Sequence, residues 1–203
     1  MTRTVSVAVA RLGVWLDGFA DRHGPWQLAA SSTLVEVTGA DGDKASIHVP
    51  FPPLAELTVR GLLTHVKQPH RVGVLLVRRG GYAAGIYDGT RLVSSKVGSS
   101  YVQGTTKAGG WSQQRYARRR ANQAGAAFAE AAEVAVRILG GQPLDALVLG
   151  GDRPAVKAVL ADPQLEPLSA LVIGPWLTVK DPKLRVLEAM PEQFLAVRID
   201  LEP

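Results

Sequence analysis

The sequence contains no cysteine, and this absence removes several classes of site. Without thiols there is no disulfide framework, no thiolate zinc centre and no cysteine nucleophile. The sequence also lacks an apolar run near the roughly eighteen residues that a membrane span needs. Arg3 and Arg11 interrupt the N-terminal apolar stretch, which is not typical of a signal peptide. We therefore expect a cytoplasmic protein that makes no contact with a membrane.

The composition indicates a folded, basic protein. The 203 residues are 46% hydrophobic and 20% charged, which is enough to bury a core in one large domain or two small ones. The formal net charge is +5 and the sequence pI is about 9.7. This excess of positive charge favours a polyanionic partner over a neutral metabolite.

Residues 1–69 have the pattern of a small α+β domain. A helix is expected over residues 11–21, and two strands at 32–38 and 44–49 flank a loop rich in glycine and aspartate. Helical spacing returns over residues 54–66, and the Gln-Pro-His sequence that follows marks a boundary. The role of this domain is not indicated by its residues.

Residues 70–203 have the pattern of a second, α/β domain with a mixed β-sheet and flanking helices. A glycine-rich loop over residues 98–110 precedes a helix that runs from Ser112 to about Leu139. Strands are expected at residues 72–77, 82–87, 91–97, 146–149, 171–173 and 195–199.

The segment between Asp88 and Glu130 contains no acidic residue. Phosphate contacts supply affinity for nucleic acid without reading its sequence, so RNA is the natural partner of such a segment. Its basic residues are Arg91, Lys96, Lys107, Arg115, Arg118, Arg119 and Arg120.

The helix in this segment is amphipathic. Arg115, Arg118 and Arg119 fall on the face opposite its apolar stripe, and Arg120 falls at the edge of that stripe. The stripe consists of Ala117, Ala121, Ala124, Phe128, Ala131, Ala135 and Ile138.

A specific motif lies where the loop meets the helix. Its residues are Gly109-Gly110-Trp111-Ser112-Gln113-Gln114-Arg115-Tyr116-Ala117-Arg118-Arg119-Arg120. The motif resembles the Gly-Gly-Gln loop and arginine helix of archaeal and eukaryotic class-one peptide chain release factors. It is more similar to the Vms-like release factor (VLRF) family, and above all to the actinobacterial branch with its Gly-Gly-Trp-Ser-Gln-Gln-Arg signature. The resemblance covers about residues 71–203 and implies a fold like the release-factor catalytic domain.

The resemblance implies a peptidyl-tRNA hydrolase of ribosome rescue, which acts on stalled ribosomes or large subunits and needs no metal or other cofactor. The implied partners are the ribosomal large subunit, ribosomal RNA and peptidyl-tRNA. Trp111 stands where the release factors have their catalytic glutamine, so Gln113 or Gln114 takes that role. The implied catalytic segment consists of Gly109, Gly110, Ser112, Gln113 and Gln114.

The same resemblance implies RNA contacts around the catalytic segment. Trp111 either stacks on a base or pins the loop to the domain as a buried aromatic side chain. The residues expected to contact RNA are Lys107, Trp111, Arg115, Arg118, Arg119 and Arg120.

Two other functions remain open from the sequence. One is a nuclease that cleaves the tRNA 3′ end, as assigned to eukaryotic relatives, although no acidic residues are available near the loop to hold catalytic metal ions. The other is a ribosome- or RNA-binding factor without catalysis. The histidines are not at metal-ligand spacing, so we expect them to have surface or core roles. These are His23, His48, His65 and His70.

Overall fold

The computed structural model describes residues 2–99 and 112–203, the side chains of residues 112–124 excepted. Its contacts divide the chain into two compact units. The first unit is Met1–Pro69 together with Pro191–Pro203, and the second unit is His70–Met190. Each unit has its own five-stranded sheet and its own hydrophobic core.

The elements follow one another along the chain in mixed α/β order. The strands are β1 (Arg3–Val7), β2 (Gln27–Ala30), β3 (Leu34–Thr38), β4 (Lys44–His48), β5 (Arg71–Arg78), β6 (Gly81–Asp88), β7 (Arg91–Ser99), β8 (Ala146–Gly151), β9 (Val172–Leu177) and β10 (Val197–Glu202). The helices are α1 (Leu12–His23), α2 (Val59–His65), α3 (Ser112–Leu139), α4 (Arg153–Leu160), α5 (Leu184–Glu188) and α6 (Pro191–Phe194). Short 3₁₀ helices cover Val9–Arg11 and Pro163–Leu171.

The sheet of the first unit is antiparallel, with strand order β1-β10-β4-β3-β2. Helix α1 buries Leu12, Leu16 and Phe19, which repeat at helical spacing and so share one face. The sequence pattern predicts that residues 70–203 form one domain. This prediction is wrong for β10, which lies in the first sheet between β1 and β4. Because Val197 and Ile199 alternate with exposed or half-buried residues, β10 needs a sheet with one covered face, and the first unit supplies it.

A polar cluster joins three strands of the first sheet. Thr4 Oγ1 donates to Asp200 Oδ1 at 2.6 Å, and His48 Nε2 lies 2.7 Å from Asp200 Oδ2. Arg198 approaches the same carboxylate at 2.9 Å. The hydrogen bond from Thr4, followed by that of His48, lowers the pKa of Asp200 well below its ordinary value.

We predict that Asp200→Asn makes the unfolding free energy fall less steeply as the pH is lowered. A carboxylate whose pKa is lowered by folding stabilises the protein above its unfolded pKa of about 3.9, and this contribution is lost as the pH falls. Wild type should therefore lose more unfolding free energy than Asp200→Asn between neutral pH and pH of about 3, as measured by urea denaturation.

The matched control is Asp21→Asn, because Asp21 is an exposed carboxylate of α1 that has no hydrogen bond or ion pair among the described residues. The control should keep the steep acid limb of the wild type. Equal slopes for wild type and Asp200→Asn would contradict the role given to this cluster.

The sheet of the second unit is mixed, with strand order β7-β6-β5-β8-β9. The meander β5-β6-β7 is antiparallel, as the sequence predicts, and β5 pairs in parallel with β8, which pairs in parallel with β9. Helices α3 and α4 cover the face that carries Leu75 and Val77. Helix α5 covers the other face, where the Leu187 side chain lies over Gly85. The carbonyl oxygen of Leu187 also accepts a hydrogen bond from the Tyr87 hydroxyl. This covering of both faces explains why β5 and β6 are almost continuously buried.

The fold is thus a mixed α/β fold with two sheets flanked by helices, which confirms the predicted fold class. No helix in the described part of the chain combines the length and the apolar character needed to cross a membrane.

One glycine in the middle of α3 and one just after its end give stability predictions of opposite sign. Gly125 lies inside the helix with no atom within 4 Å of an added Cβ, so Gly125→Ala should raise the unfolding free energy by about 1 kcal/mol. Gly141 follows the helix at φ +65° with equally open surroundings, so Gly141→Ala should lower it by about 1 kcal/mol. Chemical denaturation measures both, and the same sign for both would contradict the assigned helix end.

Candidate functional site

The second half of α3 is anchored to the sheet of the second unit. Ala131 and Ala135 are buried, and Phe128 and Ile138 pack against the same core. These are the described members of the predicted apolar stripe, and the structure confirms them. Burial also extends to Ala127, Ala132, Val134 and Leu139. The helix therefore has a fixed direction on the sheet from residue 127 onwards.

The predicted site residues divide into two groups. Lys107, Gly109, Gly110 and Trp111 lie outside the described residues. The helix begins at Ser112, as the sequence predicts, and its backbone is described from that residue. The remaining site residues therefore lie on one continuous helix and span roughly 12 Å along its axis. They are Ser112, Gln113, Gln114, Arg115, Arg118, Arg119 and Arg120.

The positive charge of the protein belongs to the unit that carries this helix. Residues 70–190 contain sixteen lysines and arginines and nine aspartates and glutamates. The rest of the chain contains seven basic and nine acidic residues. The second unit is thus strongly cationic and the first unit is slightly anionic. Electrostatic attraction therefore favours binding of a polyanion to the second unit.

Tyr82 connects the strand that precedes the undescribed segment with the helix that follows it. On β6, Tyr82 pairs with Gly98, one residue before the end of β7. A Cβ on Gly98 would collide with the Tyr82 ring, so the ring lies directly on the strand backbone. The Tyr82 hydroxyl donates to Glu130 Oε1 of α3 at 2.8 Å. One side chain therefore holds both β7 and α3.

The surroundings of the Tyr82 hydroxyl keep it protonated. Burial, followed by the hydrogen bond to Glu130, raises the pKa of Tyr82 to about 12. The hydrogen bond requires the neutral phenol as donor. Glu130 is also the first acidic residue after Asp88, at the end of the cationic segment. Its carboxylate accepts the hydrogen bond from Tyr82.

We predict that Tyr82→Phe lowers the unfolding free energy by about 1–2 kcal/mol, because it removes a hydrogen bond to a charged acceptor. Denaturant unfolding at neutral pH measures the loss. The raised pKa also predicts that wild type loses stability above pH of about 10, where the unfolded chain releases the phenolic proton first.

Glu130→Gln is the matched control for Tyr82→Phe. It keeps an amide oxygen that can accept the hydrogen bond, so its loss of stability should be smaller. A Tyr82→Phe protein as stable as the wild type, with an unchanged alkaline limb, would contradict the role of this contact.

Three side chains of the first unit lie close enough together to hold a metal ion. The ligand atoms of His23, Asp41 and Asp43 lie within 4.8 Å of one another. His23 Nδ1 is 2.9 Å from Asp41 Oδ2, at hydrogen-bond distance, and 3.4 Å from Asp43 Oδ2. The contact to His23 lowers the pKa of Asp41. The sequence missed this group because His23 is far from the hairpin loop in sequence.

The other histidines have local partners. The imidazole of His65 is buried and bonds to the Pro50 carbonyl oxygen at 2.8 Å. His70 lies 4.0 Å from Asp145. With His48 on Asp200, these contacts agree with the expected surface and core roles.

Comparison with known proteins identifies the class of this chain as a release factor. Residues 70–200 match a model described as "Actinobacteria/chloroflexi VLRF1 release factor". The match covers more than half of the chain, so the chain belongs to this family, which confirms the resemblance carried by the motif at Gly109–Arg120. Membership supports a role in translation. No curated protein matches the sequence.

Two solved structures match the chain at low similarity. One is an archaeal translation termination factor, aRF1, with 14% identity and a TM-score of 0.35 over 93% of this chain. The other is titled "Archaeal protein", with 14% identity and a TM-score of 0.38 over 96% of this chain. The matches span 56% and 66% of those chains, respectively.

Proposed function

We propose that this protein is a cytoplasmic peptidyl-tRNA hydrolase that hydrolyses the ester between nascent peptide and tRNA on stalled ribosomes or large subunits. The observation that carries the proposal is the start of α3, where Ser112, Gln113 and Gln114 form the first residues of a helix in a cationic unit of a release-factor family. In this proposal the second unit is the catalytic part of the chain.

The reaction needs a positioned water and a donor for the developing oxyanion. Water attacks the ester carbonyl, its oxygen bonds to the carbonyl carbon, and the carbonyl oxygen gains negative charge. The bond to the ribose oxygen then breaks, and this oxygen takes the proton that the attacking water loses, so that a free carboxylic acid and an intact tRNA end result. The side-chain amide of Gln113 orients the water, and the backbone N–H or side-chain amide of the same residue donates to the oxyanion. Gln114 is the alternative for this role.

This mechanism explains why the motif contains no histidine, aspartate or glutamate. Preorganised donors in a site that excludes water lower the barrier by about 3–4 kcal/mol each without any change in protonation. Holding water and ester together adds a further reduction of the barrier through orientation. The paired glycines, Gly109 and Gly110, allow the backbone to approach the ester closely.

The arginines of α3 supply binding. Guanidinium groups form paired hydrogen bonds with phosphate oxygens, and a helix N-terminus adds partial positive charge. In the proposal these residues hold the tRNA acceptor end and ribosomal RNA of the large subunit, and Lys107 and Trp111 contact RNA beside them. The residues concerned are Arg115, Arg118, Arg119 and Arg120.

The test is release of labelled peptide from purified ribosome or large-subunit complexes that carry peptidyl-tRNA. Gln113→Ala should reduce the rate of release by about a hundredfold or more while binding to the complexes is kept, because only a transition-state contact is lost. Gln114→Ala, assayed beside it, identifies which glutamine acts.

The matched control is Gln142→Ala, an exposed glutamine in the turn after α3, which should release peptide at the wild-type rate. The 3′ end of the tRNA is sequenced in the same samples. A clipped tRNA end would make the protein a nuclease. Binding without release by the wild type would make it a ribosome-binding factor, and either outcome would refute the proposed hydrolase.

A further inference from the structure

A groove in the second unit is lined by residues of β8, β9 and α4. It is an open recess of about 430 Å³ between α4 and these two strands. Its walls are mainly apolar, and two cations belong to its lining. The lining includes Leu149, Val156, Leu160, Trp176, Arg153 and Lys157.

The Arg153 side chain is held in a defined position. Its guanidinium carbon lies 4.4 Å from the centre of the Trp176 ring, a cation–π contact. The ring itself is fixed, because Trp176 Nε1 donates to the Gly151 carbonyl oxygen at 3.0 Å. In this arrangement the flat face of the guanidinium contacts the indole. Its N–H groups lie at the edge of the plane, where two of them can donate hydrogen bonds to one anion.

Both cations of the groove lack a protein counter-ion among the described residues. Lys157 follows Arg153 by one helical turn, so both project from the same side of α4. The two nearest carboxylates in sequence have other partners. Asp152 pairs with Arg78 Nε at 3.4 Å, and Asp162 accepts from the Gln164 N–H at 2.9 Å.

The end of the groove that carries Arg153 lies where α/β sheets commonly bind ligands. Strand β8 runs parallel to both neighbours, β5 and β9, and ends at Gly150 and Gly151 beside the start of α4. Crevices outside the carboxyl ends of parallel strands are the usual ligand sites of open sheets. The position therefore agrees with the chemistry of the lining.

We propose that this groove binds single-stranded RNA, with a nucleobase against the apolar wall and backbone phosphates on Arg153 and Lys157. The surrounding unit has the excess of positive charge that a polyanion requires. A base has an apolar face that suits the recess formed by Val156 and Leu160, and contacts to phosphates carry no sequence information. The groove thus binds RNA without sequence preference.

The experiment measures binding of full-length protein to a fluorescent oligouridylate of roughly ten nucleotides over a range of salt concentrations. The double variant Arg153→Gln/Lys157→Gln should weaken binding by about tenfold at low salt. It should also reduce the slope of log affinity against log salt by about 1.4, since each phosphate contact to a single strand contributes about 0.7.

The matched control is Lys180→Gln/Arg185→Gln, which removes the same charge from exposed residues outside the groove. It should change the salt slope by much less than the groove variant. Unfolding temperatures of both variants, compared with the wild type, exclude loss of folding as the cause.

Two results would overturn the proposal. One is an equal effect of the groove variant and the control, which would show that only the total charge matters. The other is saturable binding of a synthetic peptide rich in glutamate and phenylalanine that depends on Arg153, with oligouridylate binding unaffected by the groove variant. The peptide result would make the groove a protein-docking site.

The arginines of α3 offer a second RNA contact, so the groove variant is also made in an Arg118→Ala/Arg119→Ala background. Its effect should persist there, because the two surfaces act independently. The measurement is an equilibrium between protein and RNA and does not involve Gln113. Failure of the groove proposal therefore leaves the hydrolase proposal untouched, and the reverse is also true.

Discussion

The packing of α3 on β6 is the constraint on which the rest of the second unit depends. Buried alanines, such as Ala131 and Ala135, let the helix lie close to the sheet, and Tyr82 adds a polar contact to Glu130. A helix is stiff over such a length, so its direction is decided by the half that is buried. The buried half of α3 therefore decides where residues 112–120 lie, although it begins more than one helical turn further along the chain.

The uneven distribution of charge has an energetic consequence. The second unit has seven more basic than acidic residues, so its cations repel one another in the folded state. Its buried core and its two covered sheet faces offset this repulsion. A bound polyanion would relieve it directly, and the slightly anionic first unit would gain nothing from the same partner. The charge pattern therefore distinguishes a unit that a bound polyanion would stabilise from a unit that it would not.

Local patterns in the sequence predicted those elements that depend on neighbours in sequence. The meander β5-β6-β7 and the long α3 follow from alternation, turn glycines and the apolar stripe. Contacts between distant residues were not predictable in the same way. Strand β10 was assigned to the wrong sheet partners because its pairing with β1 spans almost the whole chain. Strand β2 was missed because its residues are mostly exposed, and Arg153 on Trp176 gave no local signal.

Catalysis by positioning places a demand on binding. A mechanism without a titrating group depends on how accurately the water, the ester and the donor are held, and small displacements are costly. A single patch of arginines fixes the distance between the protein and an RNA backbone, but the protein can still rotate about that one contact. A second contact on the same rigid unit, such as the one at Arg153 and Lys157, would remove that freedom, and the linked contacts would bind more tightly than either alone. The two surfaces lie on one sheet-and-helix unit, so the orientation they impose on RNA would be carried to the start of α3 through its buried half.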